Sequence, residues 1–122
     1  MALSPSDVMS MLHEVAYDGE VIRGSKHACA IVYKKRLLSI GTNKLKTHPM
    51  MGKFSKNPKA VFLHAEIHAI VQAINRYGPD ILKQSTLYVT RLTAGNKVGD
   101  SKPCSGCAAC IDAFQIKHVV HT

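Results

Sequence analysis

Apolar positions recur at helical spacing in the first fifth of the chain, where Val8, Met11, Leu12, Val15 and Ala16 form a single stripe. Ser4-Pro5-Ser6-Asp7 precedes it with a cap residue, a proline at the first helical position and an acid placed to close a capping box; Gly19 marks the stop. His27 to Tyr33 and Leu37 to Thr42 are rich in Ile, Val and Leu and predict a hairpin turning at Lys34-Lys35-Arg36, although that turn holds neither Gly nor Asn. Residues 43–59, with Pro49, Gly52, Asn57 and Pro58, lack periodicity and read as a long loop of the kind that carries function. Val61 to Tyr77 puts Ile67, Ile70, Val71 and Ile74 on one face and stops at Gly78-Pro79, which predicts a second helix. Thr86 to Thr90 reads as a strand and Thr93 to Lys102 as a turn-rich excursion; Cys104 to Phe114 follows as a third helix and Lys117 to Thr122 as a final strand. Helices alternating with strands at these lengths predict one α/β layered domain over residues 1–122.

Composition narrows the partners. The run Ile67 to Ile74 is broken by His68 and Gln72 and falls far short of the roughly 20 residues of a membrane span, so no membrane partner is expected. Asp7 and Glu14 precede the first basic residue, Arg23, which is the wrong charge order for a secretory signal and predicts a cytoplasmic protein. Net charge is +8, and from Val21 to Ala65 there are ten Lys or Arg and no acid. Such a segment raises the local concentration of phosphate-bearing ligands, nucleotides or nucleic acid alike. Three of the four cysteines, Cys104, Cys107 and Cys110, crowd near the C-terminus; without an export signal they point to metal or redox chemistry more than to disulfides.

Two short patterns each open a predicted helix: His64-Ala65-Glu66 and Pro103-Cys104-Ser105-Gly106-Cys107. Cys104 and Cys107 share one side of a first helical turn, and a helix N-terminus favours their thiolate forms. With the His64 imidazole they make a three-donor set that leaves the fourth tetrahedral position of zinc to water. Glu66 favours a catalytic site over a structural one, because a carboxylate beside such a water takes and passes on its proton. A closed structural zinc is the alternative and would enlist Cys110. That residue lies six positions beyond Cys104, roughly 9 Å along a helix, so Cys110 and Cys29 read as buried fillers. His68 reads as a residue of the pocket wall or of the helix–sheet contact.

H-x-E…P-C-x-x-C is the signature of zinc-dependent deaminases. Through Gly41-Thr42-Asn43, His64-Ala65-Glu66-Ile67, Leu87-Tyr88-Val89-Thr90 and Pro103-Cys104-Ser105-Gly106-Cys107, the sequence resembles the cytidine and deoxycytidylate deaminase superfamily, and most nearly small bacterial and phage-type members. The resemblance implies a three-layer α/β/α fold with a mixed sheet of about four strands, and zinc on His64, Cys104 and Cys107. It also implies Glu66 as proton shuttle and Asn43 as a contact to the sugar. The interval between Thr90 and Pro103 is longer than in many members. Lys46 and His48 in the loop are expected near a phosphate or base, and Ala65 and Ser105 are expected to offer backbone groups to the base. The expected reaction is hydrolytic deamination of a cytosine nucleoside or nucleotide, deoxycytidylate above all. The paucity of aromatic residues, three Phe, four Tyr and no Trp, favours that small-molecule substrate over single-stranded nucleic acid. Deamination of nucleic acid, such as transfer-RNA adenosine, is the alternative, and a non-catalytic zinc-stabilised binding module is a third reading. A sheet edge in need of cover predicts a homo-oligomer.

Overall fold

In the computed structural model, which describes residues 3–19, 21–22, 24–45, 49–54 and 63–122, the first helix, α1 (Pro5–Tyr17), begins at the cap its sequence announces. Ser4 Oγ accepts from the Asp7 amide at 3.1 Å, and Asp7 Oδ2 accepts from the Ser4 amide at 3.0 Å, closing the box. Strands β1 (Lys26–Tyr33) and β2 (Arg36–Thr42) pair antiparallel through the expected hairpin. Its two-residue turn holds Lys34 and Lys35 at φ 47° and 63°, the left-handed backbone a tight hairpin demands whatever residues occupy it.

The expected long loop contains a short helix, α2 (Pro49–Phe54), which aperiodic sequence did not disclose. Helix α3 spans Ala65–Tyr77, four residues shorter at its start than its apolar pattern predicted, because Leu63 instead pairs its backbone with Lys44 and His64 becomes the cap residue. Strand β3 (Thr86–Leu92), the two-residue strand β4 (Val98–Gly99), helix α4 (Ser105–Ala113) and strand β5 (His118–His121) complete the order. The sheet runs β2-β1-β3, antiparallel throughout. The far edge of β3 is shared by β4, antiparallel at its end, and β5, parallel along its start. The sheet is therefore mixed, as expected, and the additional strand, β4, is a product of the excursion after β3.

Alternation along the strands divides the core in two. Cys29, Ile31, Leu87 and Val89 face α3 and α4, while Ala28, Ala30, Val32, Tyr88 and Leu92 face α1, giving three layers. One close approach sets the position of α3. A Cβ on Gly41 in β2 would lie 2.4 Å from the Ala65 carbonyl oxygen and 2.5 Å from the Ala69 amide nitrogen, so only glycine lets the helix start rest on this strand. His68 serves the same contact. Its Nδ1 accepts from the Thr42 amide at 3.1 Å, and its Nε2 lies 2.8 Å from Gln72 Nε2. Cys29 and Cys110 are fully buried, as expected of fillers. Among the described residues no helix is long and apolar enough to cross a membrane.

Candidate active site

His64 caps α3 and Cys104 caps α4, each with extended backbone, so the positive ends of two helices meet at one point. The His64 Nδ1 atom lies 3.3 Å from Cys107 Sγ and 3.5 Å from Cys104 Sγ, and all three donor atoms fall within 4.8 Å of one another. Zinc bonds of about 2.0–2.1 Å to nitrogen and 2.3 Å to sulfur at tetrahedral angles require N···S separations of about 3.6 Å. The donor set fits zinc in chemistry and in spacing. Cys110, with its Sγ 3.9 Å from Met50 Sδ, stands outside the cluster, so a four-ligand structural site using it is not assembled.

The thiols are poised unequally. Cys104, drawing hydrogen bonds from Cys107 and His64, is held down to about 3, whereas Cys107 is pushed far upward by that same bond to Cys104 and by burial. Cys104 Sγ also accepts from the Cys107 amide at 3.4 Å. Cys104 is thus the more readily ionised of the two thiols, and binding of a divalent ion would displace thiol protons.

Glu66, the second residue of α3, is buried and shares a cavity of about 260 Å³ with His64 and Cys104. Burial raises its pKa, and the Cys104 charge pushes the same way. A backbone hydrogen bond, His64 and Cys107 pull it back. Burial and the Glu66 charge likewise raise the Cys29 thiol, which keeps Cys29 neutral beneath the site.

Of the remaining expected contacts, Asn43 and Ala65 line this cavity. Asn43 is almost fully buried, its Oδ1 accepting from the His27 amide at 2.9 Å and its Nδ2 donating to the Ser25 carbonyl at 3.4 Å. Ser105, exposed at the first position of α4, is not among the lining residues. Lys46 and His48 lie outside the described residues. Sequence reasoning missed His27 and Arg91, which reach the wall from β1 and β3, and Ser25, which reaches it from the residue before β1. His27 is lowered to about 4 by burial first, then by the charges of Arg91 and His64. A histidine in an apolar strand gave no signal of its own; only the pairing of Lys26 with Leu92 and His27 with Arg91 brings these groups to the cavity.

The described cations of the basic segment are dispersed by the fold. Lys34, Lys35 and Arg36 cluster at the hairpin tip, the far end of β1 from the cavity, about 23 Å away at roughly 3.3 Å per residue. Lys26 donates to the Tyr17 carbonyl at 2.9 Å and to Asn96 Oδ1 at 3.0 Å. Among the described residues the cations lining the cavity are Arg91 and Lys102, both from outside the basic segment.

A helix-capping histidine followed by a buried glutamate, facing a thiol pair at the start of a second helix, defines a zinc-deaminase type of site on a three-layer sheet. Residues 4–122 match the cytidine and deoxycytidylate deaminase zinc-binding region, and the chain belongs to that family. It is 29% identical over 111 residues to the tRNA-specific adenosine deaminase subunit tad2 of Schizosaccharomyces pombe, covering 91% of this chain and 24% of that protein. The chain thus spans about a quarter of that curated relative. Among solved structures, dCMP deaminase from the cyanophage S-TIM5 aligns with a TM-score of 0.60 at 19% identity over 98% of this chain and 84% of that one. Guanine deaminase from Bacillus subtilis aligns with a TM-score of 0.63 at 20% identity over 98% and 64%. At these identities the likeness concerns the fold.

Proposed function

We propose that this chain is a zinc-dependent hydrolase that replaces the exocyclic amine of a cytosine nucleotide, deoxycytidylate-like, with a carbonyl and releases ammonia. The observation that carries this reading is the buried Glu66 in one cavity with His64 and Cys104, which with the buried Cys107 set a nitrogen and two sulfurs at zinc-ligand spacing. Zinc held by His64, Cys104 and Cys107 would act as a Lewis acid on a water in its fourth position, bringing that water's pKa to roughly 7. With zinc bound, Glu66 would pass one proton of the water to ring N3 as the water oxygen bonds to C4, then carry the proton of the resulting C4 hydroxyl to the amine, which leaves as ammonia as the C4–N bond breaks and the carbonyl forms. Ala65 presents the backbone of the first helical turn to the base. Asn43 keeps one amide hydrogen and one lone pair for a sugar hydroxyl after its bonds to Ser25 and His27.

A mononucleotide is favoured because, among the described residues, the cavity is lined by two cations and the hairpin cluster of Lys34, Lys35 and Arg36 lies at the opposite end of the sheet. Deamination of adenosine in transfer RNA is the second reading, favoured by the likeness to the S. pombe subunit. Assembly of several copies belongs to the proposal and is read by light scattering. The test is ammonia release by zinc-loaded protein from cytosine and adenine nucleosides, mononucleotides, oligonucleotides and transfer RNA. Release from deoxycytidine monophosphate is expected. Zinc-loaded protein that releases ammonia from none of them overturns the reading.

A further inference from the structure

Arg91 has no task in the chemistry above, yet its guanidinium is built into the cavity wall. It stands at the end of β3, where the long interval before Pro103 begins, and is half-buried. Its Nε donates to Ser25 Oγ at 2.9 Å and one Nη to the Asp100 carbonyl oxygen at 3.4 Å. Both acceptors are neutral. The Asp100 carboxylate is engaged elsewhere, accepting from the Lys102 amide at 2.9 Å and lying 3.9 Å from His121 Nδ1. Among the described residues no carboxylate oxygen comes within 4.0 Å of Arg91.

A half-buried guanidinium loses part of its hydration, which two neutral acceptors replace in part and a counter-charge replaces more fully. Two of its five N–H donors are occupied, and those two bonds fix the plane of the fork before any ligand arrives, which lowers the ordering cost of binding. The segment that supplies the Asp100 carbonyl is itself fastened. Ser101 Oγ donates to the Val89 carbonyl oxygen at 2.8 Å and accepts from the Thr122 amide at 2.8 Å. The remaining donors form the planar array that matches two oxygens of a phosphate.

We propose that Arg91 is the phosphate-recognising residue of this cavity, binding the sugar-linked phosphate of a nucleoside monophosphate whose base is presented to His64, Cys104 and Cys107. This rests on the deaminase reading and adds the residue that makes the substrate a nucleotide rather than a nucleoside. Lys102, exposed at the same wall, supplies attraction without the fixed fork.

The experiment measures, by calorimetry on zinc-loaded protein, the affinities of deoxyuridine, deoxyuridine monophosphate and a short single-stranded oligonucleotide containing deoxyuridine. Ammonia release from the corresponding cytosine compounds is recorded in parallel. In the unsubstituted protein the monophosphate is expected to bind more tightly than the nucleoside. Arg91→Gln is expected to cut the monophosphate-to-nucleoside affinity ratio by about 10- to 100-fold, the range for losing a charge-assisted bidentate contact. Arg91→Lys, which keeps the charge and loses the fork, should recover part of it. A ratio unchanged in Arg91→Gln, with both ligands weakened alike, makes Arg91 a strap between β1 and the Asp100 segment and overturns the proposal. A loss confined to the oligonucleotide also overturns it, assigning the contact to a nucleic-acid backbone. An Arg91-dependent ratio without ammonia release from any compound supports the phosphate site and sinks the deaminase reading alone.

Discussion

Gly41→Ala probes the link between the sheet and the site without touching a proposed ligand. The added Cβ would sit 2.4 Å from the Ala65 carbonyl oxygen and 2.5 Å from the Ala69 amide nitrogen, both backbone atoms of α3. Tolerated Cβ contacts start at about 3 Å, so the helix start must retreat by at least roughly 0.6 Å. Overpacking of this kind costs about 1–3 kcal/mol, and the backbone clash places this case at the upper end. For a chain of this size that corresponds to a fall in Tm of roughly 10 °C. The same displacement carries His64 and Glu66 with it. Misplacement approaching 1 Å lowers turnover by up to about 100-fold, so the variant should lose activity out of proportion to its folded fraction. Urea unfolding, zinc content and ammonia release on one preparation read all three effects. A Gly41→Ala protein with wild-type Tm and turnover would refute the claim that this contact sets the site.

Glu66→Gln should retain zinc and lose turnover by about 10²- to 10⁴-fold, read by metal analysis beside initial rates. Zinc at 100 times its Kd should stabilise the wild type by about 2.7 kcal/mol and Cys107→Ser hardly at all, as thermal unfolding with and without metal will show. His27 titrates near 4 in the fold against an ordinary value of 6.5, so the unfolded chain binds the extra proton between those values. Stability should therefore fall as pH drops from about 6.5 towards 4, and His27→Asn should flatten that part of the profile measured alongside the wild type. Ser4→Ala should cost about 1 kcal/mol through the lost cap of α1 while leaving zinc binding and turnover as they were.

What the sequence disclosed was local chemistry. The Ser4–Asp7 capping box, the paired Ile- and Val-rich strands and the two metal-donor motifs are written in adjacent residues, and each stands where its pattern placed it. What escaped depends on register and tertiary contact. The start of α3 yields four residues of its apolar pattern to a backbone bridge between Leu63 and Lys44, which no periodicity records. His27 and Arg91 become cavity residues because β1 and β3 are in register there. Charge counting along the chain pointed to the basic segment, yet the hairpin carries Lys34, Lys35 and Arg36 away from the site and the excursion after β3 delivers Lys102 to it. Asn43, expected beside a sugar, does line the cavity, but its amide also ties the start of β1 to the end of β2, a structural duty its neighbours in sequence do not reveal.

X-ray absorption at the zinc edge of the metal-loaded protein tests the central claim most directly, because it separates an open hydrolytic centre from a closed structural one. Two sulfurs at about 2.3 Å, one nitrogen at about 2.0–2.1 Å and one light oxygen scatterer are predicted. A shell of three sulfurs and a single light scatterer, or protein that binds no zinc, would contradict it.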